Sequence, residues 1–257
     1  MKVFRFRGEL DADPPEAAAV WSAGCRGMQQ DGPDVLAWFD EEVPLPVAGT
    51  WSAADDTDWL EAYYRGLEPV RFDTLVVAPS HAPLTLRPGQ RPLWLDPGMA
   101  FGTGHHETTR MILAALDRTP LAGRRVLDVG AGSGILAIAA DLLGAAEARG
   151  VDNDPGTVAV ARENAARNRS RATFEAGTLP PAGDAARPDL VVANLFAELH
   201  VRLLPAYRAS LAPGGRLLMS GILAERAAQV RAARPPGLRA ADAEVDGDWT
   251  MLTWVRT

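Results

Sequence analysis

The chain reads as a doubly wound α/β protein, a mostly parallel sheet with helices on both faces, preceded by a smaller α+β unit. Three observations carry that reading. From Leu75 onward, apolar runs of strand length alternate with segments of helical spacing across short turns, the pattern of right-handed crossovers. From Val126 to Asp152, VLDVGAGSGILAIAADLLGAAEARGVD runs as strand, glycine turn, apolar-faced helix and second strand ending in an acid. Residues 1–54 differ in character, with short amphipathic pieces separated by Gly- and Pro-rich turns.

In the small unit, VFRFRGEL (3–10) alternates as a strand and PPEAAAVWSAG (14–24) starts a helix with prolines in its first turn. CRGMQQDGPD reads as a turn region and VLAWFD (35–40) as a second strand, suggesting a split βαβ arrangement. EVPLPVAGTW is extended, and Asp58 opens a linker helix within 55–68, leaving 69–257 as the large domain. There, LVVAP (75–79) and PLWLD (92–96) are strands, and a helix spans Thr108 to Leu116. Asp154-Pro155 caps a helix running to about Asn168, and ATFEA (172–176) is strand-like. PDLVVANL (188–195) and RLLMSGIL (216–223) are continuous apolar strands of the buried parallel kind. Helices follow at Ala197 to Leu211 and Ala224 to Ala233, and WTMLTWV (249–255) closes the chain as an antiparallel strand.

Composition narrows the classes. The 257 residues are 47% hydrophobic and 23% charged, as in ordinary globular proteins, and no apolar run approaches a membrane span. The N-terminus lacks the apolar core of a signal peptide, and the single cysteine, Cys25, excludes an internal disulfide framework, so a cytoplasmic home is expected. The net charge of −7, without a basic stripe, argues against unaided nucleic-acid binding and favours a basic partner. With no exposed apolar stripe evident, a monomer is the expectation.

The glycines Gly130, Gly132 and Gly134 follow G-x-G-x-G, whereas a dinucleotide site wants G-x-G-x-x-G, and Ile135 stands where the spacing would differ. That shifts the ligand from a nicotinamide cofactor toward an adenosine without a pyrophosphate, with S-adenosylmethionine the candidate. A helix starting near Ser133 would turn its free amides to the ligand carboxylate. Asp152, 22 residues after Gly130, stands where a carboxylate accepts ribose hydroxyls.

Two further constellations flank this block. FGTGHHETT (101–109) lacks the P-loop lysine, and its adjacent histidines lack H-E-x-x-H spacing, so no metal is expected. It reads as a lid in which Phe101 shields the ligand and Thr109 offers a hydroxyl, although Thr108 or Thr109 would also serve as a helix cap. Asn194-Leu195-Phe196 ends a buried strand in a carboxamide, whose Oδ1 would accept hydrogen bonds from an attacking amine. Capping of the next helix is the alternative use of Asn194. Glu198 and His200 read better as a solvated helix face than as a base, and after ATFEA the pair Gly177-Thr178 lacks an acid for adenine.

VLDVGAGSGILAIAA with Asp152, preceded by DPGMAFGTGHHETT and followed by VVANLFAEL and GGRLLMSGIL, resembles the bacterial methyltransferases of ribosomal large-subunit protein eleven. The resemblance implies a class I, Rossmann-like, S-adenosylmethionine-dependent methyltransferase domain with a seven-stranded sheet. It also implies a small ferredoxin-like substrate-recognition domain and a linker helix. The implied reaction is methylation of lysine ε-amino and N-terminal α-amino groups on the ribosomal protein. By motif position, Thr109, Gly130, Asp152 and Asn194 would bind the cofactor, with Phe101, Gly102 and Gly132 beside them, and Asn194 would serve catalysis. Methylation of RNA or of a small-molecule amine is the main alternative. A binding protein without turnover and a nucleotide-dependent oxidoreductase fit the glycine block and Asn194 less well.

Overall fold

The computed structural model describes residues 2–8, 15–25, 27–53, 68–80, 82–96, 102, 104–179 and 187–257. The linker helix expected from Asp58, and Phe101, lie outside the described residues. The chain separates into two compact units, Met1–Gly66 and Leu67–Thr257.

The first unit contains β1 (Lys2–Arg7), α1 (Pro15–Ser22), β2 (Gly27–Asp31), β3 (Asp34–Phe39) and β4 (Gly49–Ala53), in the sheet order β2-β3-β1-β4. Neighbours are antiparallel throughout, so β3 splits the β1-α1-β2 unit and the strand order is ferredoxin-like. Alternate residues of β1 and β3 (Phe4 and Phe6; Val35, Ala37 and Phe39) pack with Val20 and Cys25 as a core. Two details depart from the sequence expectation. The stretch taken as a turn region contains β2, a polar strand that takes its order from pairing Met28 with Ala37 and Gln30 with Val35. No helix covers residues 40–48 between β3 and β4, where Pro44 and Pro46 remove helical donors.

In the second unit, β5 (Val70–Arg71), β6 (Leu75–Ala78) and β7 (Arg91–Trp94) form a small separate sheet. It is docked by a side-chain carboxylate and a side-chain carboxamide. The Asp117 carboxylate accepts the Thr74 and Leu75 amides at 3.0 Å each, and Asn168 exchanges two bonds with the Trp94 backbone, at 2.6 and 2.7 Å.

The main sheet uses β8 (Arg125–Val129), β9 (Glu147–Asp152), β10 (Thr173–Ala176), β11 (Leu190–Asn194), β12 (Arg216–Leu223), β13 (Leu238–Asp246) and β14 (Trp249–Arg256). Their order is β10-β9-β8-β11-β12-β14-β13, seven strands as the resemblance implied. The first five are parallel and β14 is antiparallel to β12. Successive residues face opposite layers. Val126, Val192 and Leu218 pack beneath α2 (Glu107–Asp117), α3 (Ile135–Leu142) and α4 (Pro155–Arg167). Leu127, Val191, Leu217 and Met219 pack beneath α5 (Ala197–Ser210) and α6 (Ala227–Ala232). Asp154 caps α4 as expected, its Oδ1 accepting the Gly156 amide at 2.8 Å. The chain runs outward from β8 through β9 to β10 and then returns to β11 on the other side. The carboxyl ends of β8 and β11 therefore flank the switch point where such sheets open a crevice.

Candidate functional site

A cavity of about 520 Å³ lies at that switch point, within the range of small-molecule sites. Gly102, Thr109, Gly130, Gly132, Asp152 and Asn194, all singled out from the sequence, line it together. His106, Gly221 and Trp249 line it too, without having been assigned a place there.

The glycine turn shapes one wall. Gly130, Gly132 and Gly134 have φ of 73°, 53° and 81°, which glycine adopts without strain. A Cβ on Gly130 would stand 2.6 Å from Leu195 Cδ2, and one on Gly134 would stand 2.7 Å from the Phe174 ring. One expectation is corrected: α3 begins at Ile135, with Gly134 as its N-cap, rather than near Ser133. Protein groups also occupy amides of its first turn. Ile135 N–H donates to Ser133 Oγ at 3.4 Å and Ala137 N–H to Asp128 Oδ2 at 3.3 Å. The Gly130 and Ala131 amides go to Val151 O. The turn therefore offers space for close approach more than a row of free donors. Ser133 Oγ donates to Gly102 O at 2.7 Å, latching the preceding loop to the turn.

Asp152, at the end of β9, is held from both sides. Gly132 N–H donates to Oδ2 and Asp154 N–H to Oδ1, each at 3.0 Å. Each carboxylate oxygen keeps a second lone pair, so the group arrives at the cavity pre-oriented as a two-oxygen acceptor. An adenosine ribose requires such an acceptor, and the Gly130 wall leaves the space beside it. These residues fit S-adenosylmethionine.

Asn194 ends β11 at the cavity, and a hydrogen-bond chain fixes which way its amide points. Its Nδ2 donates to Thr108 Oγ1 at 3.1 Å and to Thr109 Oγ1 at 3.2 Å. Thr108 N–H donates to His106 Nδ1, so that ring nitrogen is an acceptor; it lies 2.9 Å from Thr108 Oγ1 and takes the hydroxyl proton. The chain runs from amide to hydroxyl to imidazole. Asn194 Oδ1 is left as an acceptor with no donor among the described residues. The α2 cap is thus His106, where Thr108 or Thr109 was weighed, and both threonines are buried against Asn194. The His106 ring meets Trp249 edge-on with centroids 5.2 Å apart.

Gly221 makes room for the carboxamide. It sits at an irregularity of β12 with φ of 81°, and a Cβ there would lie 2.6 Å from Leu195 O and 2.9 Å from Asn194 Oδ1. On the far side of Asn194, Phe196 opens α5 with 69% of its surface exposed, and Leu199 is next on the same wall.

Two buried ionisable groups lie under the site. Asp128 is fully buried in β8, with Oδ1 unpartnered among the described residues, and burial pushes its carboxyl up to about 7. Its place inside an otherwise apolar strand was the available signal. His200, read as part of a solvated face, is instead fully buried, and burial lowers it to about 4. Glu198 is exposed and pairs with Arg226 at 3.5 Å. Among the described residues, no group of three or more His, Cys, Asp or Glu is placed to hold a metal, and no helix is long and apolar enough to cross a membrane.

The family model for Ribosomal protein L11 methyltransferase (PrmA) matches residues 34–257. The chain is 46% identical to the Ribosomal protein L11 methyltransferase of Thermus thermophilus, with 100% of both chains covered. It is 40% identical to the protein of that name in Deinococcus radiodurans, with 98% of each covered. A crystal structure of ribosomal protein L11 methylase from Lactobacillus delbrueckii subsp. bulgaricus superposes with a TM-score of 0.66 at 30% identity, covering 74% of this chain and 99% of that one. With its seven-stranded order and a glycine turn facing a strand-end carboxamide, the chain belongs to the ribosomal protein L11 methyltransferase family.

Proposed function

We propose that this protein transfers methyl groups from S-adenosylmethionine to lysine ε-amines and an N-terminal α-amine of ribosomal protein L11. The observation that carries the amine assignment is Asn194, whose Nδ2 is committed to Thr108 and Thr109 while Oδ1 keeps its acceptor capacity at the cavity.

When bound, S-adenosylmethionine supplies a methyl group on a sulfonium whose positive charge disperses during transfer. Asp152 would hold the ribose hydroxyls of the cofactor. Thr109 accepts only from Asn194 among the described residues, which leaves its hydroxyl proton for the ligand. Gly130 and Gly132 let the backbone approach, and Gly102 is latched beside them by Ser133. An ammonium has no lone pair, so the acceptor must arrive neutral or lose its proton to solvent. Asn194 Oδ1 then accepts an amine N–H and aims the lone pair. Orientation of this kind is worth several orders of magnitude without an acid or base. Phe196 and Leu199 line the side from which a lysine's hydrocarbon stem would enter. The amino-terminal unit serves substrate recognition, and the net charge of −7 suits a basic ribosomal protein.

The test is to incubate the protein and methyl-labelled S-adenosylmethionine with purified L11, free rRNA and small amines, and to locate the label by mass spectrometry. Label on L11 amino groups is expected. Label confined to RNA or small amines, or none anywhere, refutes the proposal.

A further inference from the structure

His200 carries more than its burial requires. It lies on α5, six residues after Asn194, and has no exposed surface. Its Nε2 is 2.8 Å from Ser220 O, a distance at which the ring nitrogen must carry the proton and donate it. Its Nδ1 lies 3.5 Å from the Tyr207 hydroxyl. Ser220 O has a second donor, Leu195 N–H at 3.0 Å. One carbonyl thus receives both the imidazole and the amide that follows Asn194. Ser220 is the register partner of Asn194 across β11 and β12, and the next residue is Gly221, whose missing side chain makes room for Asn194 Oδ1.

We propose that His200 is a positioning residue for methyl transfer: its imidazole fastens the Ser220 carbonyl and so holds the Asn194-Leu195-Phe196 turn against the cavity. It is not a base. The ring has no solvent access, Nε2 is spent on Ser220 O, and burial keeps the imidazole neutral across the physiological range. The effect reaches the amine through Asn194, so loss of His200 impairs turnover and leaves cofactor affinity alone. Asp152 and the glycine turn make no hydrogen bond to this carbonyl; Asp152 is held by Gly132 N–H and Asp154 N–H, and the Gly130 and Ala131 amides by Val151 O.

This role rests on the amine-methylation reading, and the experiment separates the two. In the full-length protein without ligand, hydrogen exchange of the Leu195 amide is followed by NMR for wild type, His200→Leu and His200→Gln. The Leu variant is expected to exchange at least tenfold faster at this amide, and Gln, whose side-chain N–H reaches toward Ser220 O, to recover most of the protection. In turnover with L11, the Leu variant should lose about tenfold or more in kcat, with KM for L11 and the affinity for S-adenosylhomocysteine within threefold of wild type. The Gln variant should regain most of the rate. Unchanged Leu195 protection in the Leu variant overturns the proposal. So does kcat within threefold of wild type, or a Gln variant as impaired as Leu. Should His200→Leu not fold, His200→Asn, with its shorter reach, takes its place in the same comparison. A wild-type protein that labels no L11 amine would defeat the functional reading, and the exchange measurement would still decide whether His200 fastens the turn.

Discussion

Asp128 gives the sharpest quantitative prediction. Its carboxyl is fully buried, accepts one long bond from Ala137 N–H at 3.3 Å, and leaves Oδ1 without a partner among the described residues. Burial is the main cause of its raised pKa, the Ala137 bond works against it, and the negative charge of Asp152 adds to it. The group binds its proton up to about pH 7 when folded, against 3.8 as an ordinary carboxyl. Below pH 3.8 both states are protonated and Asp128 contributes no pH dependence. As pH rises, the unfolded chain releases the proton while the folded chain keeps it, so stability falls until pH is near 7 and stays lower above it. At about 1.4 kcal/mol per factor of ten in proton affinity, the total is roughly 4 kcal/mol. Asp128→Asn keeps the shape and an acceptor for Ala137 but cannot ionise. Its stability relative to wild type should climb by about 2–4 kcal/mol between pH 4 and pH 8, measured by urea unfolding across that range. Titrations common to both proteins cancel in the difference. A flat difference would show that the carboxyl ionises normally when folded, and the burial argument would fail.

Three predictions concern the cavity. Asp152→Ala should weaken S-adenosylhomocysteine binding about 100-fold by calorimetry, since a bond to a charged acceptor is worth about 1.5–3 kcal/mol, and affinity within threefold of wild type would refute the ribose assignment. Gly221→Ala places a Cβ 2.9 Å from Asn194 Oδ1 at a φ of 81°. It should cost roughly 1–2 kcal/mol of stability and more than tenfold in kcat, both absent if the carboxamide does not set the amine. Phe196→Ala should raise KM for L11 about fivefold to tenfold, from about 1 kcal/mol of apolar contact, with cofactor affinity unchanged; steady-state kinetics with an unchanged KM would remove Phe196 from the acceptor side.

The parts of this molecule legible in its sequence are those set by local chemistry. Gly130, Gly132 and Gly134 are needed because three close positions have positive φ, and that demand is written in residue type. Strands such as Leu190–Asn194 announce themselves because both faces are covered and every residue before the last is apolar. The polar residue that ends the run is where the ligand edge begins. Strand β2 was not legible, because GMQQD has no apolar face and is ordered by its partner across the sheet. α3 starts two residues beyond Ser133, whose hydroxyl donates to Gly102 O while accepting the Ile135 amide. His200 is instructive. Ala197, His200, Leu204 and Tyr207 are the buried stripe of α5, so spacing places the imidazole inside and Glu198 outside. A reading by residue type alone grouped the two together.

His200 and Asp128 also explain why the region beneath the site is hard to read from pH behaviour of the wild-type protein. His200 titrates at about 4 when folded against 6.5 ordinarily, so between those values the unfolded chain holds the extra proton and stability rises with pH. Asp128 holds its extra proton in the folded state, so its contribution falls with pH over 3.8 to about 7. The windows overlap and the slopes oppose each other, proton for proton. Between pH 4 and pH 6.5 the two contributions therefore oppose each other, and single variants separate them. The two groups also divide the labour under the cavity. Asp128 bonds the amide of Ala137 in the helix behind the glycine turn, on the cofactor side, while His200 bonds the carbonyl beside the asparagine turn, on the acceptor side. The glycine turn gives space, and the orientation of the groups around it is set from within the sheet.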